Sequence, residues 1–489
     1  MRSFRPYRSA RAVAVSMAVL LCLLLCAPVA AAGASPDRYA AIDEYVRHRM
    51  DATHTPGLSY AVVGPDGPLH QRSWGTDGRG ERVTARTPFL WGSLAKPITA
   101  TAVMTLVESG RLRLDDRIVE HLPRFRFGGA AHASGVTVRH LLNQTAGIPG
   151  SATSKVTDCY GPDCPTPRER LHALDGVTPL GPPGTEYAYT SANYVVLTAL
   201  VEAVTGRPLA AYLRQAVFAP AGMDGAIADA ASARQRRLSP GHQLLWGFPA
   251  AIADGFDDHG AGYGYMGGDI GDLSAFASLQ LRSGRTAGGT VLTPESMRLM
   301  HREGLSGSGY GLGWRVGGLD APLDTARWHT GGTPGYSAMM FVLPERDVAL
   351  VLEQNLYGLL QDGAVMQVGF GAARILAGGR PGGDPSAFSY LLTVWGVTAL
   401  AAAFLVAAGR SALLLRRPAP PRRAGTVAWV LAGVLPVAAV AALAILNDME
   451  AAQMWVPDAV IALWTAAAAG TAVAALRIAR AVRARRRNA

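Results

Sequence analysis

Apolar and polar positions divide the chain into an apolar start, a long patterned middle and an apolar end. Residues 12–29 are almost entirely apolar; Arg2, Arg5, Arg8 and Arg11 precede them, and Ala30-Ala31-Ala32-Gly33-Ala34 follow. A basic start, an apolar middle and a small-residue end predict a secretory signal peptide over residues 1–32, cut near Ala32. An uncleaved anchor helix is the alternative. From Tyr39 to about Leu376, strand-like and helix-like patterns alternate. Residues 57–63 read as a strand, ended by the hairpin turn Gly64-Pro65-Asp66-Gly67. Residues 136–142 lead a short helix into the loop Gly147-Ile148-Pro149-Gly150, and residues 194–204 read as a helix stopped by Gly206. Strands return at 336–342 and 347–354. Strands at both ends with helices between predict a mixed α/β (α+β) fold, one sheet built from distant segments with a helical region inserted.

Beyond this the pattern changes. Residues 377–387 are a glycine- and proline-rich linker. Three apolar runs follow, at 388–409, 426–446 and 459–476. The first would extend about 33 Å as a helix, enough to cross a bilayer.

The net charge of +10 suggests a nucleic-acid partner until its distribution is considered. The four arginines of residues 1–32 and the arginine-rich residues 410–489 hold the excess, and residues 33–409 are near neutral. Arg410, Arg416, Arg417, Arg422 and Arg423 lie between the first two runs, and six arginines lie in the tail, residues 477–489. Asp448, Glu450 and Asp458 lie between the second and third runs, with no base. This asymmetry predicts a cytoplasmic first loop and tail, with residues 33–387 outside. The lipid bilayer, not nucleic acid, is the expected macromolecular partner.

The chemistry centres on Trp91-Gly92-Ser93-Leu94-Ala95-Lys96. If a helix starts there, Ser93 and Lys96 stack one turn apart. The chain holds only two lysines, Lys96 and Lys155, among 46 basic residues. Unlike arginine, a buried lysine can release its proton and activate a serine hydroxyl. Ile98, Val103, Leu106 and Val107 supply an apolar face, and Gly110 a stop. Tyr189 precedes the helix at 194–204, and a tyrosine beside a lysine ammonium can ionise more easily. The segment Trp328-His329-Thr330-Gly331-Gly332-Thr333 has glycines that let a strand edge approach a substrate, although His-Thr-Gly alone is equally a turn sequence. Cys159 and Cys164 bracket a turn-forming loop, and export favours a disulfide between them. No metal or cofactor is implied: the eleven histidines show no paired ligand spacing.

In this order and spacing, the three elements resemble the serine β-lactamase and penicillin-binding-protein superfamily, most closely its class C branch, which includes D-alanyl-D-alanine carboxypeptidases, D-aminopeptidases and esterases. Residues 89–93, Leu112-Arg113-Leu114-Asp115-Asp116, residues 141–149, Pro220-Ala221-Gly222-Met223 and Tyr310-Gly311-Leu312-Gly313-Trp314 extend the likeness over about residues 37–376. The resemblance implies a β-lactamase/transpeptidase-like fold, with an antiparallel sheet flanked by helices. It makes Ser93 the acylated nucleophile, Lys96 its base and Tyr189 the proton relay. His329 takes the place of the lysine in the lactamases' K-T-G. The N–H groups of Ser93 and Gly332 would form the oxyanion hole, and Ser191, Thr330 and Gly331 would bind substrate. Ser191 stands where the family's Tyr-x-Asn has asparagine, and Asn193 is two places too far on. Both this and His329 argue against efficient antibiotic hydrolysis.

The resulting expectation is a membrane-anchored, extracytoplasmic serine hydrolase acting on a cell-wall-type D-amino-acid peptide or an ester. A β-lactamase or penicillin-binding module with little turnover is the alternative. A signalling receptor is disfavoured, because the cytoplasmic loop and tail are too short for an output domain.

Overall fold

The computed structural model describes residues 36–383, 385, 388–417, 422–445 and 449–488. The signal peptide expected over residues 1–32 lies outside the described residues. The central feature is a six-stranded sheet. Its strands are β1 (Gly57–Gly64), β2 (Gly67–Gly75), β5 (Arg315–Val316), β6 (Arg327–Thr333), β7 (Tyr336–Leu343) and β8 (Val348–Gln354), in the order β2-β1-β8-β7-β6-β5. All its pairings are antiparallel. The β1–β8 pairing joins the two ends of the domain, with Tyr60 opposite Leu352. This is the sheet of distant segments expected from the pattern.

Strands β1, β7 and β8 are buried on both faces, so their sequences read as continuous apolar runs. Alternate residues still separate. Leu58, Tyr60, Val62, Phe341, Leu350 and Leu352 enter a core beneath α1 (Pro36–Thr53) and α5 (Asp362–Leu376). Ala61, Val63, Met340 and Val351 face the larger core built with α2 (Ala95–Glu108), α3 (Ala192–Thr205) and α4 (Ile270–Leu281). Each large aliphatic side chain buried this way contributes about 1.5–3 kcal/mol.

A small hairpin, β3 (Gly241–Leu245) and β4 (Phe248–Ala253), stands apart from the sheet. Its two-residue turn, Trp246-Gly247, has φ of 52° and 92°. Positive φ at both positions matches the twist of a tight hairpin, but Trp-Gly is not its usual sequence signal. The sequence reading therefore missed this hairpin.

At the C-terminal end, α6 (Phe388–Leu414), α7 (Arg423–Ile445) and α9 (Pro457–Asn488) are each long and apolar enough to cross a membrane. The helices extend past several ends of the apolar runs, because arginine is a good helix former and does not terminate a helix. Helix α9 packs against both others. A Cβ on Gly433 would lie 2.4 Å from the Gly470 carbonyl oxygen, so α7 and α9 meet backbone to backbone. A short helix absent from the sequence reading, α8 (Met449–Trp455), precedes α9.

Candidate active site

Ser93 sits in a single 3-10 turn, Gly92–Leu94, that runs directly into α2. The turn rests against β6. Gly92 has φ of 54°, and a Cβ there would lie 2.2 Å from the Gly332 nitrogen. A Cβ on Gly331 would lie 2.0 Å from the Trp91 carbonyl oxygen and 2.5 Å from the Ser93 nitrogen. No side chain fits at either place, so the glycines let turn and strand touch through their backbones.

Lys96, in the first turn of α2, is fully buried. Its Nζ donates to Ser93 Oγ at 2.8 Å, Ser191 Oγ at 3.1 Å and the Tyr263 carbonyl oxygen at 2.8 Å. Burial lowers its pKa to about 7, helped by the nearby charge of Arg315 and opposed by Asp158. Near neutral pH a large fraction is therefore free amine, with a lone pair for the serine proton.

Tyr189 closes another side, its ring centroid 5.2 Å from Lys96 Nζ. Burial pushes its hydroxyl up to about 12, against the opposing pull of the Ser93 hydroxyl and Arg315. The eased ionisation suggested by a neighbouring lysine does not result, because desolvation outweighs the charges. Tyr189 is a phenol at neutral pH, ready to give a proton.

His329 lies buried on β6. Its Nδ1 is 2.6 Å from the Thr330 carbonyl oxygen and so carries the proton; Nε2 accepts from the Tyr310 hydroxyl at 3.2 Å. Burial, with Arg315 and Lys96 nearby, holds its pKa well below the usual range. The imidazole is neutral and does not supply the charge of the lysine whose place it takes. A fixed positive charge stands nearby on β5, where the Arg315 guanidinium carbon lies 5.2 Å from the Tyr189 ring and 5.1 Å from the Trp328 ring. Sequence reasoning missed Arg315. Its only cue is its position directly after Tyr310-Gly311-Leu312-Gly313-Trp314.

A cleft of about 510 Å³ brings together Ser93, Tyr189, Ser191 and Gly332. Thr330 and Gly331 do not line it; Thr333, three and two places further along β6, does. Asn193 is buried on α3 and donates to Gln144 Oε1 at 2.5 Å, away from the cleft. The sulfurs of Cys159 and Cys164 are 2.17 Å apart, and their loop adjoins the cleft through Asp158. Among the described residues, no group of three His, Cys, Asp or Glu side chains is placed to hold a metal.

A second set of residues was invisible in the sequence. Tyr263, whose carbonyl seats Lys96, donates its hydroxyl to Asp257 Oδ2 at 2.5 Å. Asp257 forms a buried two-pronged pair with Arg170, at 2.6 and 2.8 Å. The position of the lysine thus depends on an ion pair that no local motif announces.

Comparison with known proteins agrees with this architecture. The beta-lactamase family model matches residues 42–366. Penicillin-binding protein 4 of Amycolatopsis lactamdurans is 32% identical over 330 residues, covering 63% of this chain and 84% of that protein. The octameric penicillin-binding protein homologue from Pyrococcus abyssi superposes with a TM-score of 0.60 at 20% identity, over 74% of this chain and 81% of that one. EstCE1, a hydrolase with promiscuous acyltransferase activity, gives 0.56 at 20% identity, over 65% and 93%. At such identities the two structures speak to fold alone. The matched stretch holds the six-stranded sheet and the Ser93, Tyr189, Ser191 and Gly332 positions of the cleft, and it makes this chain a member of the beta-lactamase family.

Proposed function

We propose that this chain is a membrane-anchored serine hydrolase that cleaves a D-amino-acid peptide of cell-wall type, or an ester, through an acyl-enzyme on Ser93. The observation that carries the reading is the buried Lys96 amine 2.8 Å from Ser93 Oγ, with its pKa lowered to about 7. The 32% identity to a relative named as a penicillin-binding protein supports this reading.

In acylation, neutral Lys96 takes the Ser93 proton as Oγ bonds to the substrate carbonyl carbon. The Ser93 and Gly332 N–H groups receive the developing oxyanion. When the tetrahedral species collapses, the bond to the leaving amine or alkoxide breaks. Tyr189 gives that group its proton and is reprotonated from the Lys96 ammonium, which restores the free amine. In deacylation, water adds to the acyl carbon, Lys96 takes its proton, and Ser93 Oγ leaves with a proton returned from the lysine. Ser191, held by Lys96, faces the substrate in place of the usual asparagine. Arg315 offers the positive charge for a substrate carboxylate, which His329 does not.

The three long apolar helices anchor the domain. The arginine asymmetry supports an extracytoplasmic cleft with residues 477–489 in the cytoplasm.

The test is incubation of the full-length protein with a fluorescent penicillin and a panel of p-nitrophenyl esters, comparing wild type with Ser93→Ala. Covalent label and p-nitrophenol release that both vanish in the variant are expected. Release that survives the loss of Ser93 would sink the reading. A persistent label without ester turnover would favour the penicillin-binding alternative, to which the shortened Ser191 side chain points.

A further inference from the structure

The membrane-directed part of the chain completes the wall of the Ser93 cleft. Ala451 and Trp455, on α8, line the same cleft as Ser93 and Gly332. Trp455 stands edge-on to Tyr357, with ring centroids 5.9 Å apart. Tyr357 in turn abuts Gly332, where an added Cβ would lie 2.4 Å from its ring. A path of direct contacts therefore leads from α8 to the strand that flanks the serine. The Trp455 indole also lies beside the half-buried Asp158 carboxyl, whose pKa burial raises above its usual value and the indole contact only partly pulls back.

Helix α8 is tied down by the β3–β4 hairpin. Gln243 Nε2 donates to the Met454 carbonyl oxygen at 2.7 Å. The hairpin turn is bonded to α6, with Trp246 Nε1 donating to Thr398 Oγ1 at 2.7 Å and Gly247 N–H to the Tyr390 hydroxyl at 2.8 Å. Trp455 closes α8 just ahead of Pro457, where α9 begins. A tryptophan at the end of a membrane span sits where lipid meets water, a depth that suits its amphipathic ring. With α9 across the bilayer, a cleft walled at that depth would open beside lipid rather than into bulk solvent.

We propose that Trp455 is a specificity-determining residue for a substrate drawn from the bilayer: an ester or amide whose acyl part carries a long apolar chain. This rests on reading the chain as a membrane-anchored serine hydrolase. The carbonyl carbon sits at Ser93, and the apolar chain runs along α8 toward the lipid. Trp455 gives it an apolar face, and the small Ala451 leaves room for it to pass.

The experiment places full-length protein in phosphatidylcholine nanodiscs. It compares p-nitrophenyl butyrate in solution with p-nitrophenyl palmitate held in the same bilayers. The quantity read is the palmitate-to-butyrate ratio of kcat/KM. Trp455→Ala should lower that ratio about tenfold or more, mainly through the KM for palmitate, while Trp455→Phe, which keeps an apolar ring, should retain most of it. Ala451→Trp, which fills the path, should also lower the ratio and gives an independent reading if Trp455→Ala fails to fold. Ser93-dependent release with a ratio unchanged in these variants overturns the proposal and leaves the hydrolase reading intact. Release that is absent in wild type, or unchanged in Ser93→Ala, defeats the hydrolase reading and this inference with it.

Discussion

Lys96 and Arg315 both approach the Tyr189 ring, each 5.2 Å from its centroid, so one phenol is flanked by two nitrogen groups of different chemistry. One can lose its proton near neutral pH and the other cannot. In the proposed mechanism, that difference separates the proton-transfer work of the site from the charge that would receive an anionic substrate.

Replacing Lys96 with arginine keeps the positive charge and removes the base. Lys96→Arg should lower acylation of Ser93 about a thousandfold on a small ester. Stopped-flow release of p-nitrophenol measures it. Near-full activity in the variant would make Lys96 an electrostatic group only.

The acylation rate of the wild type should rise with pH through about 7, the depressed Lys96 pKa. The sign follows from the role: below that pH the amine is protonated and cannot take the serine proton, and above it the free amine prevails. His329 adds no limb near pH 6, because it is already neutral there. A pH profile of kcat/KM for a neutral ester tests both statements. A rate that falls as pH rises from 6 to 8 contradicts them.

Arg315→Gln should separate two classes of substrate. Loss of a charge-assisted contact should raise KM for a peptide with a free carboxylate about ten- to a hundredfold, and much less for a neutral ester. The Lys96 pKa should also rise, since Arg315 helps to lower it, so the pH profile of the variant should shift upward. Equal effects on both substrates would rule out a carboxylate-receiving role.

Gly331→Ala should damage folding and acylation together. Its Cβ would lie 2.0 Å from the Trp91 carbonyl oxygen and 2.5 Å from the Ser93 nitrogen, both backbone atoms that cannot turn aside. The strain should cost roughly 1–3 kcal/mol, visible as a lower Tm. Gly288→Ala, where an added Cβ meets nothing within 4 Å, is the control. Similar Tm values for the two variants would mean that β6 and the Ser93 turn have room to part.

Reporter fusions after residues 420, 452 and 489 should read inside, outside and inside. An extracytoplasmic signal at 420 would reverse the proposed topology.

Much of this was legible in the sequence because it depends on neighbours along the chain. The Ser93–Lys96 spacing sets the two groups one turn apart, Ser93 on the 3-10 turn and Lys96 on the first turn of α2 that continues it, wherever that helix packs. The lengths of the three apolar runs give helices that can span a bilayer, and the strand pattern of residues 57–63 and 347–354 leaves both to be buried. The motif order of Ser93, Tyr189 and His329 identified the family through a resemblance, not through any property of those residues taken singly.

Tertiary structure decided the rest, because protonation and recognition depend on what distant segments bring close. A lysine pKa near 7 requires full burial and an arginine from 219 positions later in the chain. The phenolic state of Tyr189 and the neutral state of His329 are set by desolvation, which no spacing encodes. The Arg170–Asp257 pair behind Tyr263 and the arrival of Trp455 at the cleft join segments far apart in sequence. The sequence by itself determined which groups could react and which helices could enter lipid. Only the folded chain, by removing water from those groups and setting distant charges beside them, decided their charge and which of them meet at one cleft.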